Sequence, residues 1–273
     1  MTQDQFASTA TTFRPRSRVE GGFTLVELLV VIAIIALLLV IVLLAVGGFR
    51  DQARLVECMS NQHQLQVGLV GYSQENGGKF ISPRTSPLGT LPRDLLWVRS
   101  YNGDGNIRLD GEGYETIEAL EDGALWPFVG DDGAYRSPLD PTPRLRSYAV
   151  NGFVSDLPDN PTNPEFAWGP VADRISKIRN PSNTLYTIPE QDKNANFNSQ
   201  GWVIDIYQRV WKDFPAFWEP RGKLAVSFID GSSRIIEFAD PNLADKIPGH
   251  ETPADPATTL DFDRFAEWVN PDE

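Results

Sequence analysis

The chain has almost no cysteine or histidine. Cys58 is its one cysteine, so no disulfide can close within the chain. His63 and His250 are its two histidines. Neither has a partner at metal-ligand spacing, and no His-Glu-x-x-His occurs, so zinc-type chemistry has no foothold. Basic charge is also scarce. There are 24 Lys and Arg against 37 Asp and Glu, a net charge of -13. Beyond the N-terminus no stretch gathers enough Lys and Arg to neutralise phosphates, which argues against nucleic acid as a partner.

Catalytic signatures are missing too. There is no Gly-x-Ser-x-Gly; Asp230-Gly231-Ser232-Ser233 is a turn without the strand–elbow–helix context. No Gly-rich phosphate loop precedes a helix. Paired acids are common, as on any acidic surface, and single out no glycosidase dyad. The expectation is a non-enzymatic protein with no cofactor. Aromatic content of 11% still allows a real core, so the chain is not disordered by composition.

What the chain does have is one bilayer-length run. From Leu28 to Val46 every side chain is Leu, Val, Ile or Ala. As a helix this run covers roughly 28 Å, close to the ~30 Å hydrocarbon core of a membrane. Arg14, Arg16 and Arg18 precede it, which favours a cytoplasmic N-terminus. The far flank, Arg50-Asp51-Gln52-Ala53-Arg54, is mixed in charge. A secretory signal peptide cut near Ala45-Val46-Gly47 is the plain alternative. The run is longer than an ordinary signal core, and an acid, Glu27, sits at its mouth. A carboxylate at the bilayer centre costs about 2.5–3.5 kcal/mol, so it needs a partner or a route to the headgroups.

Gly21-Gly22-Phe23-Thr24-Leu25-Val26-Glu27, with the apolar helix after it, resembles the leader junction of type IV prepilins and type II secretion pseudopilins. That pattern is a basic leader ending in Gly, then Phe, then Thr-Leu-[Val/Ile]-Glu. The resemblance implies cleavage between Gly22 and Phe23 by a prepilin peptidase, and N-methylation of the new Phe23 amine. It implies pairing of Glu27 with the Phe23 ammonium of a neighbouring subunit. It also implies an inner-membrane assembly platform and other pilin or pseudopilin subunits as partners, with membrane lipid around the helix before assembly. Residues 1–22 would then be leader, 23–46 the transmembrane and polymerisation half of a long helix, and 47–76 its amphipathic half. Residues 77–273 would form a periplasmic or extracellular head on a single-pass inner-membrane anchor.

The amphipathic half carries Leu55, Cys58, Met59, Gln62, Leu65, Leu69 and Tyr72 on one face. Arg54, Glu57, Gln64 and Gln66 fall opposite. Gly47-Gly48 marks a soft point, and Asn76-Gly77-Gly78 a stop. The expected fold is α+β: the long helix packed on an antiparallel sheet. Strands are expected at Ser147–Val150, Thr184–Ile188, Trp202–Tyr207, Lys223–Ile229 and Arg234–Ala239. The last two form a hairpin through Asp230-Gly231. Residues 79–145 read as loop-rich, 151–183 as a surface insertion and 240–258 as a Pro-rich connector, with a short helix at 261–270.

Two further features leave alternatives open. Asn102-Gly103-Asp104-Gly105-Asn106 with Asp110-Gly111-Glu112 lacks the Gly and Glu placement of an EF-hand. Some pseudopilins bind calcium in a head loop, so a calcium site of another geometry stays open. Trp202, Trp211 and Trp218 lie in an aromatic-dense stretch that is either core packing or a platform for sugars or a partner protein. The latter would suit a second class of function, a membrane-tethered binding protein that does not polymerise.

Several head segments also resemble the large, extended-head pilin-like proteins of Planctomycetes and Verrucomicrobia. These are Glu57–Leu65, Gly123–Phe128, Tyr135–Pro141, Arg146–Gly152 and Phe228–Ser232. Ser137 stands where those proteins usually have Cys, and Ser232 where they have His.

Overall fold

The computed structural model describes residues 23–85, 95–100, 114–155, 168–191, 201–218, 222–247, 252–254 and 258–272. The chain divides into two units, Met1–Phe49 and Arg50–Glu273.

Helix α1 runs over Leu25–Glu75. It contains no proline, and Gly47-Gly48 does not interrupt it. It stops where expected. Gly77 and Gly78 take φ of 66° and 82°, and Gly78 N–H donates back to Ser73 O at 2.8 Å. That bond is the outer closure of a Schellman cap, which needs a left-handed residue after the helix. In the first unit, the described side chains of α1 from Leu25 to Leu43 are all exposed. It is the one described helix long and apolar enough to cross a membrane.

In the second unit, four strands form an antiparallel sheet in the order β1-β2-β5-β6: Tyr148–Val150, Leu185–Pro189, Lys223–Phe228 and Ser233–Glu237. The β5–β6 hairpin is closed by Ile229-Asp230-Gly231. Gly231 N–H donates to Phe228 O, and Phe228 N–H to Ser232 O. Gly231 has φ of 101°, so this is a type I turn with a glycine bulge, one residue longer than a two-residue loop.

The sheet is buried on both faces. Leu224, Val226 and Phe228 point into a core with Trp202, Trp211, Phe262 and Phe265. The other face receives the second half of α1: Ala225 meets Leu55 and Cys58, and Ile229 joins the cluster of Leu65, Leu69 and Tyr72. The predicted α1 stripe is therefore the buried one, with a correction. Gln66, placed on the outer face by sequence, is 1% exposed and donates to Phe228 O at 3.0 Å.

Gln62 has a clear reason to be buried. The β2–β5 ladder is irregular between Leu185 and Thr187, and continuing its register brings Pro189 opposite Ala225. Proline has no N–H to give. Gln62 Nε2 donates to Ala225 O instead, and its Oε1 accepts from Thr187 Oγ1 at 2.9 Å. The helix thus completes hydrogen bonds that the sheet lacks.

Helices α2 (Ile117–Glu121) and α3 (Trp126–Val129) lie in the segment expected to be loops. Gly68 and Gly71 let them approach α1; a Cβ on Gly68 would sit 2.6 Å from Val129 Cγ2. The expected strand at Trp202–Tyr207 shrinks to β3, Ile204–Asp205, because Ile206–Arg209 turns. β3 joins β4 (Val210–Trp211) and β7 (Thr252–Pro253) in a second, three-stranded sheet that the sequence reading missed. The supposed connector 240–258 holds β7 and helix α4 (Leu243–Lys246). The supposed insertion buries Phe153, Val154, Ala172 and Ile178. Helix α5, Thr259–Val269, buries Phe262, Phe265 and Val269.

Candidate functional site

Thr24 and Glu27 are three residues apart at the start of α1, which is capping-box spacing. The geometry is reciprocal. Thr24 N–H donates to Glu27 Oε2 at 2.8 Å, and Thr24 Oγ1 donates to the same oxygen at 2.8 Å. Glu27 N–H donates to Thr24 Oγ1 at 3.2 Å. Donors that would otherwise lie open at the end of an apolar helix are thereby satisfied. The carboxylate also sits against the positive end of the helix dipole.

This arrangement changes the reading of Glu27. It is not a bare charge at the edge of a hydrocarbon run. One oxygen is held by Thr24, and among the described residues no group donates to Oε1. A carboxylate accepts up to about four hydrogen bonds, so an ammonium can join without breaking the box. Phe23, 78% exposed, lies just before the helix. Gly22 and the rest of the leader lie outside the described residues. Thr24 is the partner of Glu27 that the sequence pattern alone did not single out, although its Thr-x-x-Glu spacing is a usable signal.

The aromatic stretch is brought together, but inward. Trp202 and Trp211 are fully buried. The ring of Trp202 lies 5.4 Å from Phe265, and that of Trp211 5.2 Å from Phe262. An enclosed indole offers no face to a sugar, so these two are core. Trp218 is half-buried beneath the Arg144 guanidinium, 5.0 Å from its ring centre. A shallow cleft of about 380 Å³ on this unit is lined by Glu57, Asn61, Gly133, Arg136 and Pro138, with no tryptophan. The calcium-like loop at Asn102–Glu112 lies outside the described residues.

Cys58 and Ser137 were noted separately in the sequence, and the fold puts them together. Cys58 Sγ and Ser137 Oγ are 3.0 Å apart and buried. Ser137 thus occupies the position from which a second cysteine would reach Cys58.

Residues 17–43 match the family model described as the prokaryotic N-terminal methylation motif. No curated protein and no solved structure matches the chain. The chain therefore carries a prepilin-type motif across the leader junction and the first turns of α1, and that match does not extend to the head.

Proposed function

We propose that this protein is a structural pilin-like subunit, a pseudopilin or minor pilin of a type II secretion or type IV pilus-like filament. A prepilin peptidase cuts between Gly22 and Phe23, and the Phe23 amine is methylated. Before assembly the apolar half of α1 spans the inner membrane once, with the N-terminus cytoplasmic and the head periplasmic. During assembly the Phe23 ammonium of one subunit meets the free acceptor of Glu27 on its neighbour. The pairing sets register, and packing between apolar helices supplies cohesion.

The observation that carries this reading is the capped Thr24–Glu27 pair at the head of a helix whose side chains from Leu28 to Leu43 are apolar and exposed. In lipid such a carboxylate needs partners. The box supplies them within one chain and leaves an acceptor for a second.

The test is a pair of variants. Gly22→Ala should accumulate as full-length precursor, read by intact mass. Glu27→Ala should be cut normally but fail to enter filaments. Wild-type mature mass and wild-type incorporation for both would sink the proposal and favour a tethered protein that does not polymerise.

A further inference from the structure

The outer edge of β6 is open backbone. Phe228 N–H donates to Ser232 O at 2.9 Å, and Phe238 N–H to Gly222 O at 2.8 Å. These bonds define the parity of the β5–β6 ladder. Residues 234 and 236 turn their N–H and C=O toward β5, and Ser233, Ile235 and Glu237 turn theirs away. Arg264 agrees, since its Nη1 donates to Glu237 O at 2.8 Å from the far side. Among the described residues nothing pairs with the N–H groups of Ser233, Ile235 and Glu237, or with the carbonyls of Ser233 and Ile235. The opposite edge is different. On β1, Val150 O accepts from Trp202 N–H at 2.8 Å. Proline and lysine are absent from β6, its charged residues are Arg234 and Glu237, and the glycine bulge sits at the turn before the strand begins.

We propose that a second copy of this chain pairs here, β6 against β6, antiparallel about a two-fold axis at Ile235. Outward groups sit only on odd-numbered residues, so odd must face odd. Centring on Glu237 would set two carboxylates against each other, and centring on Arg234 two guanidiniums. Centring on Ile236 would set each Ile235 against a Glu237 carboxylate, and centring on Ser233 would put Ile235 opposite a turn glycine, Gly231. Centred on Ile235, the two isoleucines meet and each Ser233 faces a Glu237. Both of those gain. Ser233 Oγ is enclosed and has no partner among the described residues, and a rotamer turned toward the edge lets the exposed Glu237 carboxylate of the second copy accept its hydrogen. The contact is isologous: it joins heads in pairs and does not itself propagate a filament, so it is separate from helix-driven polymerisation.

Cysteine cross-linking of the full chain in membranes tests it. Cys58 is fully buried, so engineered cysteines report without background. Ile235→Cys places two Cα atoms about 5.5 Å apart across the axis, within disulfide range. A reducible dimer should become the main species on mild oxidation, while Tyr207→Cys, exposed but elsewhere, gives none. Ile235 packs near Leu55 and Ala225, so a Ser233→Cys, Glu237→Cys double variant repeats the readout without altering it. Adding Ile235→Pro should abolish that second cross-link, because the N–H it removes points away from β5. The dimer should persist in a Glu27→Ala background. Monomer from both cysteine designs, equal dimer from Tyr207→Cys, a cross-link that survives Ile235→Pro, or loss with Glu27→Ala would each overturn the two-fold contact.

Discussion

The two halves of α1 share one backbone geometry and differ in what their side chains meet. From Leu28 to Leu43 the helix is apolar all round, and its side chains are exposed. From Leu55 onward a single stripe is buried: Leu55, Cys58, Gln62, Leu65, Leu69 and Tyr72, with Gln66 and Ser73 beside it. A helix apolar on every side is suited to lipid or to packing among other helices, whereas a stripe is suited to one protein face. The polar members of the stripe show how closely that face is matched. Gln62 and Gln66 donate to backbone carbonyls of the sheet, at Ala225 and Phe228, bonds that an apolar stripe could not make.

The largest effect should come from truncating the stripe. Leu69→Ala should cost the head about 2–5 kcal/mol, the range for a buried leucine. Leu38→Ala, in the exposed half, should leave head unfolding unchanged. Thermal melts in detergent, followed by near-UV circular dichroism, compare the two. Equal destabilisation would erase the distinction between the halves.

Next comes a staple between α1 and the head. Ser137→Cys puts a thiol beside Cys58 and closes a loop of 79 residues when oxidised. Disulfides typically add about 2–4 kcal/mol. The gain should appear as a higher melting temperature that is lost on reduction, with a mass two hydrogens lower before it. If free thiols persist after oxidation, the side-chain contact is not as described.

Gln62→Ala should cost about 1–3 kcal/mol, because it removes two buried hydrogen bonds, to Ala225 O and from Thr187 Oγ1. Urea unfolding of the variant and of Gln64→Ala, an exposed neighbour, separates that loss from helix propensity.

The smallest effect is on acid stability. Lys246 and the Asn242 N–H hold the Asp240 carboxyl below its ordinary value. Burial pushes Asp173 up, but Lys177 and Arg174 together pull it below its ordinary value. A depressed folded value means that the stability is present above the unfolded pKa. It is lost as pH falls through the folded one, below the usual carboxylate range. Asp240→Asn and Asp173→Asn should each flatten that acid limb by slightly lowering the melting point at neutral pH, with the difference from wild type vanishing in acid. A difference that is absent at neutral pH and grows in acid would contradict the assignment.

Local chemistry made much of this readable in advance. Periodicity located α1 and most of its buried face. Asp230-Gly231 located the hairpin, and Asn76-Gly77-Gly78 the helix stop, because each depends on a few adjacent dihedral angles. The readings that failed concerned contacts distant in sequence. Gln66 looked solvent-facing because polarity was its only local signal; its partners, Phe228 O and Ile229 O, belong to another element. Trp202 and Trp211 could be read either as core or as a platform, because aromatic density does not reveal which side α5 covers. The three-stranded sheet was missed because strands of two residues carry no measurable alternation. Thr24 differs: its capping-box spacing to Glu27 is local and readable, and only the hydrogen bonds show that both partners are engaged.

The amino-acid order alone determined a prepilin-type junction, a bilayer-length helix, its stop and an α+β head, because these follow from short-range patterning and backbone preference. Only the tertiary structure decided that Gln62 substitutes for a missing proline N–H, that Ser137 lies against Cys58, that two tryptophans are core, and that no strand among the described residues pairs with the outer edge of β6. Each of these depends on residues brought together from distant parts of the chain, where packing and hydrogen-bond satisfaction outweigh any local propensity.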